Sequence, residues 1–395
     1  MAAAPAAPTT PAAPAAPALP CLLVGGAQAS AFSFDASNGG VPHFLGASAT
    51  ALGSGPGFVA FSQASPGLVY ATSTNEVPPP AGAGAGAGAA AGADSLSSGI
   101  TTARVSCFGG AGGGAAFANL SHVATDAACH VAIHPSGGWV FSASYDAGTV
   151  AWMPVKPDGT LGAARQMSVG PKAHAVNFDA TGAFVFVPCL GSDSVAQLVF
   201  DAATGALDFN SVPTAQLPNG SGPRHMVFLP TNASVAYVLC ELSSVLVPFA
   251  FNTSTGVLTQ AGAPLSTIRA GLPAPSVQAA AELLASADGL FLYATNRAAP
   301  LGAGDNSVAV VPLTPQGALA GGVAQWATGE SVGALSFPRH VALSSAPGQP
   351  FLFAVGQYSG VVTVFQRDPA TGLLAQLSAA NAQNTQPTFV GELFA

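Results

Sequence analysis

The chain alternates short apolar runs with turn sequences, and the alternation repeats. One unit begins His130-VAIHPSGGWVFSASYDAGTVAWMP and the next His174-AVNFDATGAFVFVPCLGSDSVAQLVF. Three more begin at His225, Glu282 and His340, so successive starts lie 44, 51, 57 and 58 residues apart. Each unit reads as an apolar run, a turn, a second apolar run, a turn, an alternating run and a hairpin of the type Asp-x-x-Thr-Gly-x-Leu. Short apolar runs bounded by Gly, Asn and Asp predict β-strands joined by tight turns. A four-stranded unit recurring at this period predicts a β-propeller.

A weaker copy, Phe58-VAFSQASPGLVYATSTNE, precedes the five. Half-units sit at the two ends. Pro387-TFVGELF reads as an innermost strand, and Cys21-LLVGGAQASAFSFDASNGG supplies outer strands. Joined, they make a seventh blade and remove the sheet edges that an open array would expose. The expected fold is therefore all-β: one seven-bladed propeller over residues 19–395 with four-stranded blades, the two termini sharing one blade. Residues 1–18, with a proline every third position, are expected to form a disordered or semi-rigid tail. The Ala/Gly run at 78–93 is expected to be a low-complexity loop.

Composition excludes several functions. Of 395 residues only 9 are Lys or Arg, and the net charge is −8. No basic stripe is available to neutralise phosphates, so nucleic acid is not an expected partner. With 47 Gly and 33 Pro, turns are favoured over long helices. The uncharged stretches Met1–Phe34 and Val77–Ala93 are Ala, Gly and Pro, not the Leu/Ile/Val/Phe of a spanning helix. No targeting signal is legible, so the expected location is the cytoplasm. The five cysteines, Cys21, Cys107, Cys129, Cys189 and Cys240, are odd in number, show no CxxC spacing and read as buried reduced thiols of an intracellular protein. There is no P-loop or dinucleotide fingerprint, and no cofactor is expected. His130 and His134 are four apart, but without a clustered third ligand no metal is expected. Asp201-Ala-Ala-Thr-Gly205 and Asp368-Pro-Ala-Thr-Gly372 read as Asx turns.

Chemistry is expected at one repeat position. His130, His174, His225, Glu282 and His340 each open an inner strand, where a propeller rings its central channel. Five titratable residues at such a position need partners or solvent. Fifteen to seventeen residues on, each second strand returns to the same end, at Tyr145, Cys189, Glu241, Arg297 and Gln357. Arg224 and Arg339 precede two of the histidines. A polar cavity assembled from separate blades follows.

Gly222-Pro-Arg-His225, Glu241-Leu242, Tyr293-Ala-Thr-Asn-Arg297 and Pro338-Arg-His340, with the spacing between them, resemble the lactonase family of seven-bladed propellers. The resemblance covers nearly the whole chain from about residue 20. It implies a cofactor-independent lactone hydrolase of the 6-phosphogluconolactonase kind. The alternatives are a carboxy-cis,cis-muconate cyclase-like lactonising enzyme and a non-catalytic propeller scaffold. It implies a catalytic set of His174, Arg224, Glu241 and Arg297. Substrate contacts would come from His130, His225, Glu282, Arg339, His340 and Gln357. Many relatives carry Asp where this chain has Cys189. The chemistry suits the residue types. Glu241 would activate water, the arginines would hold an oxyanion or acidic group, and His174, with a pKa near neutrality, would protonate the leaving oxygen. The bland alternatives are an inter-blade ion pair for Glu241 and backbone hydrogen bonds for His225 and His340. The expected partner is a small lactone or acidic molecule, and the expected assembly a monomer or weak homo-oligomer.

Overall fold

In the third blade the strands Trp139–Ser144 and Thr149–Pro154 are buried along almost their whole length. Their side chains alternate between two neighbours. Trp139, Phe141, Ala143, Val150 and Trp152 pack toward the fourth blade. Val140 and Met153 pack toward the second. A strand buried on both faces needs apolar residues at every position, which is why these runs are continuous rather than half polar. The rule holds around the ring. Seven apolar clusters each join two adjacent blades, and the last joins Leu22, Val24, Phe32 and Phe34 to Phe353, Val355, Val362 and Val364.

The computed structural model describes residues 21–35, 40–53, 55–73, 98–108, 113–272, 277–300, 304–329 and 335–393. Seven antiparallel sheets form the propeller; six have four strands, and the fifth blade adds a short strand, Leu265–Ser266. The first blade is composite. Its innermost strand is the C-terminal Phe389–Leu393, which pairs with Cys21–Gly25 in the register Cys21 to Leu393. Ring closure by the two termini is thus as expected. The expected tail at 1–18 and loop at 78–93 lie outside the described residues. Among the described residues no helix is long and apolar enough to cross a membrane.

In the third, fourth, sixth and seventh blades a hairpin glycine ties the blade to the one before it. Gly205 sits at φ +70°, and its carbonyl accepts from Trp152 Nε1 (2.8 Å) in the preceding blade. Tyr70, Tyr237 and Tyr293 donate in the same way to Gly159, Gly317 and Gly372. The Asx turns form as expected: Asp201 Oδ1 accepts from the Ala203 amide, and Asp368 Oδ1 from that of Ala370.

Two expectations are corrected. Cys21 and Cys107 form a disulfide, so only Cys129, Cys189 and Cys240 are free thiols. The partners are 86 residues apart and meet because the first and second blades, consecutive along the chain, pack face to face. With that pair, the argument from reduced thiols to an intracellular location also falls. Second, the titratable repeat residues do not all open their strands. His130 does, but His225 and His340 are third in Pro223–Leu229 and Pro338–Leu343, and Glu282 lies within Val277–Ala285. His174 precedes the short strand Asn177–Phe178, and its amide donates to the Pro188 carbonyl at 2.9 Å. The inner strands begin earlier than the apolar run because backbone pairing does not require apolar side chains.

Candidate active site

The early start of the inner strands matters because it carries a bulge. In the fifth blade Pro223 pairs with Cys240 and His225 with Leu239, leaving Arg224 as the extra residue. The seventh blade repeats this: Pro338 pairs with Gly356, His340 with Val355, and Arg339 is extra. Shifts at Pro56/Val59 and Ala280/Leu283 do the same in the second and sixth. A bulge re-aims a side chain out of the strand's alternation. Here it turns Arg224 and Arg339 toward the end of the channel and leaves the following residue facing the axis.

The axis is plugged by seven residues, one from each blade: Phe389, Phe58, His130, His174, His225, Glu282 and His340. Phe58 packs on His130 (ring centroids 4.3 Å), His340 (5.1 Å) and Phe389 (5.2 Å), and His225 lies edge-on to His130 (5.4 Å) and His174 (5.6 Å). Glu282 ties the plug: His225 Nδ1 is 2.8 Å from its Oε1 and His340 Nε2 is 3.1 Å from its Oε2. Val390 N–H faces His340 Nδ1 at 3.4 Å, which assigns the His340 proton to Nε2.

Above the plug is a cavity of about 540 Å³. Of the expected site residues, His174, Arg224, Glu241, Glu282, Arg297, Arg339 and His340 line it. His130, His225 and Gln357 do not; the first two belong to the plug, and Gln357 Oε1 accepts from Arg339 Nη1 (3.3 Å) behind the wall. His134, the other half of the histidine pair, is committed to the fold through Ser136 Oγ (2.8 Å) and the Gly182 carbonyl (2.9 Å).

Glu241 is the centre. Its Oε2 lies 3.0 Å from Arg224 Nε and 3.7 Å from His174 Nε2, and its Oε1 lies 3.2 Å from Arg297 Nη2. It is 20 % exposed against 4 % and 5 % for the two arginines, so it is the member of the cluster that solvent and substrate reach. The arginines are held from behind: Arg224 Nη1 donates to the Ala281 carbonyl and Arg297 Nη2 to that of Ala280 (2.9 Å). Phe337 lies beneath the Arg297 guanidinium at 5.2 Å and is itself stacked on Tyr358. Burial alone would raise the Glu241 carboxyl. Arg297, Arg224 and Arg339 together outweigh it and hold the group below the usual range.

Burial sets the histidines the other way. His174 is held well below its ordinary value by burial and by Arg224. His225 shares that direction and those causes. Burial, with His225 beside it, takes His130 to about 3, and burial takes His340 to about 4 against the pull of Glu282. The four are neutral at pH 7. The expectation of a His174 that titrates near neutrality is therefore corrected: desolvation and a neighbouring guanidinium both oppose the imidazolium. Cys129 lines the cavity, donates to the His174 carbonyl (3.3 Å) and is pushed up to about 11 by burial, which keeps it a neutral thiol.

Several cavity residues went unnoticed in the sequence. Pro56-Gly-Phe58 and Pro387-Thr-Phe389 occupy the place of Pro223-Arg-His225 and Pro338-Arg-His340, and aligning the prolines would have found Gly57, Phe58 and Thr388. Asp193, outside the cavity lining, is a supporting residue. Its carboxylate accepts from the amides of Gly220 (2.8 Å) and Gly222 (2.7 Å), and the Gly222 carbonyl accepts from the Glu241 amide (2.7 Å). One acid thus braces the loop that delivers both Arg224 and Glu241. Gly222 is at φ +60°, and a Cβ there would lie 2.5 Å from Leu242 Cγ, so no larger residue fits the turn.

Comparison with known proteins agrees with this architecture. The 6-phosphogluconolactonase of Pectobacterium carotovorum subsp. carotovorum is 32% identical over 173 residues, 44% of this chain and 51% of that protein. The chain thus spans about half the length of that relative. A probable 6-phosphogluconolactonase of Arthroderma benhamiae is 28% identical over 278 residues, 65% of each chain. The structure of the periplasmic gluconolactonase of Pseudomonas aeruginosa superposes with a TM-score of 0.77 at 25% identity, covering 95% of this chain and 99% of that one. Residues 95–391, well over half of the sequence, match the family described as lactonase, 7-bladed beta-propeller, and the chain belongs to that family.

Proposed function

We propose that this protein hydrolyses a sugar lactone, 6-phosphogluconolactone first among the candidates, with Glu241 as the base. The observation that carries the proposal is the convergence of Arg224, Glu241 and Arg297 on one cavity wall. A scaffold has no use for a partly exposed carboxylate held by two buried guanidiniums.

The reaction follows from the charges. Water between Glu241 and the lactone carbonyl gives its proton to the carboxylate as its oxygen bonds to carbon. Negative charge leaves Glu241 at the moment it grows on the carbonyl oxygen. Arg224 and Arg297 lose their carboxylate partner just then and turn to the oxyanion, so the site's net charge is unchanged through the step. A carboxyl whose pKa is held low is a ready acid once protonated, so Glu241 returns the proton to the ring oxygen as the carbon–oxygen bond breaks. His174, neutral, stands beside Glu241 as a polar wall of the site, its Nε2 3.7 Å from the carboxylate, and not as an imidazolium donor. The products are the open hydroxy acid and the free enzyme.

Three guanidiniums around one cavity also favour a second reading, closure of a lactone from an unsaturated polyacid such as carboxy-cis,cis-muconate. The deciding experiment is hydrolysis of freshly generated 6-phosphogluconolactone with the spontaneous rate subtracted. Glu241→Gln is expected to lower kcat at least ~100-fold, the scale of a lost general base. Unchanged activity in the variant removes Glu241 as base. Absence of catalysis by the wild type, with turnover of carboxymuconate, establishes the second reading.

A further inference from the structure

The three guanidiniums of the cavity are not equivalent. Arg224 and Arg297 are each bound to Glu241 and to a backbone carbonyl. Arg339 lines the same cavity and has no carboxylate within ion-pair distance among the described residues; its one hydrogen bond is to the Gln357 amide oxygen, at 3.3 Å. The bulge at Pro338/His340 aims it there, so its placement is built into the inner strand.

The charges inside the cavity say the same. Arg224, Arg297 and Arg339 stand against Glu241 and Glu282, and His174 and His340 are neutral, so three positive charges less two negative leave +1. The remaining carboxylate of the lining, Asp146, is exposed to solvent, which screens it, and forms no ion pair with Arg339 among the described residues. The uncompensated charge sits on Arg339. A guanidinium kept partly out of water without a counter-ion is unfavourable, and an incoming anion recovers that energy. Burial, reinforced by Arg224, brings Arg339 down to about 10, still charged at neutral pH. Space is available too: Gly26, Gly55 and Gly57 line the cavity without side chains.

We propose that Arg339, braced by Gln357, is the anchor for an anionic substituent of the lactone, a phosphate monoester, while Arg224 and Arg297 are reserved for the reacting carbonyl. The inference rests on the lactonase reading and adds a division of labour: Arg339 selects the substrate and the Glu241 cluster opens it. A planar guanidinium with free N–H groups matches a phosphate in bidentate fashion, which an ammonium cannot do.

The test compares wild type, Arg339→Gln and Arg339→Lys on 6-phosphogluconolactone and glucono-1,5-lactone. Circular dichroism and melting curves confirm that the variants fold. A charge-assisted pair of this kind is worth roughly 1.5–3 kcal/mol, so the ratio of kcat/KM between the two lactones is expected to fall about thirtyfold in Arg339→Gln, chiefly through KM. Arg339→Lys is expected to recover only part of the ratio. Equal losses on both lactones, or loss of the ratio in Arg297→Gln instead, overturn the assignment. Calorimetric titration with 6-phosphogluconate, glucarate and gluconate separates this inference from the lactonase reading. If the wild type opens neither lactone, the lactonase reading fails, and binding alone judges Arg339. A preference for 6-phosphogluconate over both others that disappears in Arg339→Gln upholds a phosphate anchor. Glucarate binding as tightly as 6-phosphogluconate, or three ligands binding alike, overturns it.

Discussion

Lowering the pH from 7 to 4.5 should unfold this protein, and the plug of neutral histidines says by how much. In the unfolded chain each histidine takes a proton near pH 6.5. In the folded chain His130 stays neutral to about pH 3 and His340 to about pH 4, both because burial penalises the imidazolium. Between those limits the unfolded state binds more protons, so stability falls as pH falls. Each group contributes roughly 1.4 kcal/mol per pH unit below its unfolded value. Over the two units from 6.5 to 4.5 these two residues alone remove roughly 5 kcal/mol, which is comparable to the whole stability of many domains. His174 and His225 are lowered in the same direction and add to the loss. Glu241 joins later: its carboxyl is held below 4.5, so its contribution is present above that value and is lost as the pH falls through its folded pKa. The assay is urea denaturation at half-unit steps from pH 7.5 to 4.5. Replacing His340 by Gln should lower stability at pH 7 and flatten the acid slope by about one proton. A free energy that is level from pH 7 to pH 5 would falsify the burial argument, because it requires histidines that titrate as freely folded as unfolded.

Two further outcomes follow from the same chemistry. Over the pH range in which the protein stays folded, the rate of lactone opening should be level, because Glu241 is already ionised there and the guanidiniums keep their charge; an inflection near pH 6.5 would show His174 titrating and restore it as the acid. For the disulfide, a maleimide count on denatured, unreduced protein should find three thiols, Cys129, Cys189 and Cys240, and five would refute the bridge. Cys107→Ser, which opens a link across 86 residues, should lower stability by about 2–4 kcal/mol, or roughly 3–5 °C for a domain of this length.

The repeat was legible because it is a local property. Apolar runs, Asx hairpins and turn glycines recur at a period that needs no knowledge of contacts, and a blade buried on both faces writes itself as continuous apolar strands. Even closure could be read, since Phe389–Leu393 and Cys21–Gly25 are each incomplete alone. The repeat also located the ring of titratable residues, because one position per blade must face the axis.

Tertiary structure decided what those residues are. Which of them meet depends on bulges and on the angle between blades, and neither is encoded in a run of residues. Arg224 and Arg339 follow the same proline at the same bulge, yet one meets Glu241 and the other only Gln357. The difference is the residue that follows the second strand of the same blade, Glu241 in the fifth and Gln357 in the seventh; what only the fold adds is Arg297 from the sixth blade and His174 from the fourth, brought to the same carboxylate. His174 looked like a neutral-pH acid by residue type; burial and Arg224 make it a neutral imidazole. Cys21 and Cys107 carried no spacing signal because their proximity is produced by the packing of one blade on the next. Residue types and their period determine the fold and the cast of the site; charge state and pairing are set by desolvation and distance, which exist only once the blades are assembled.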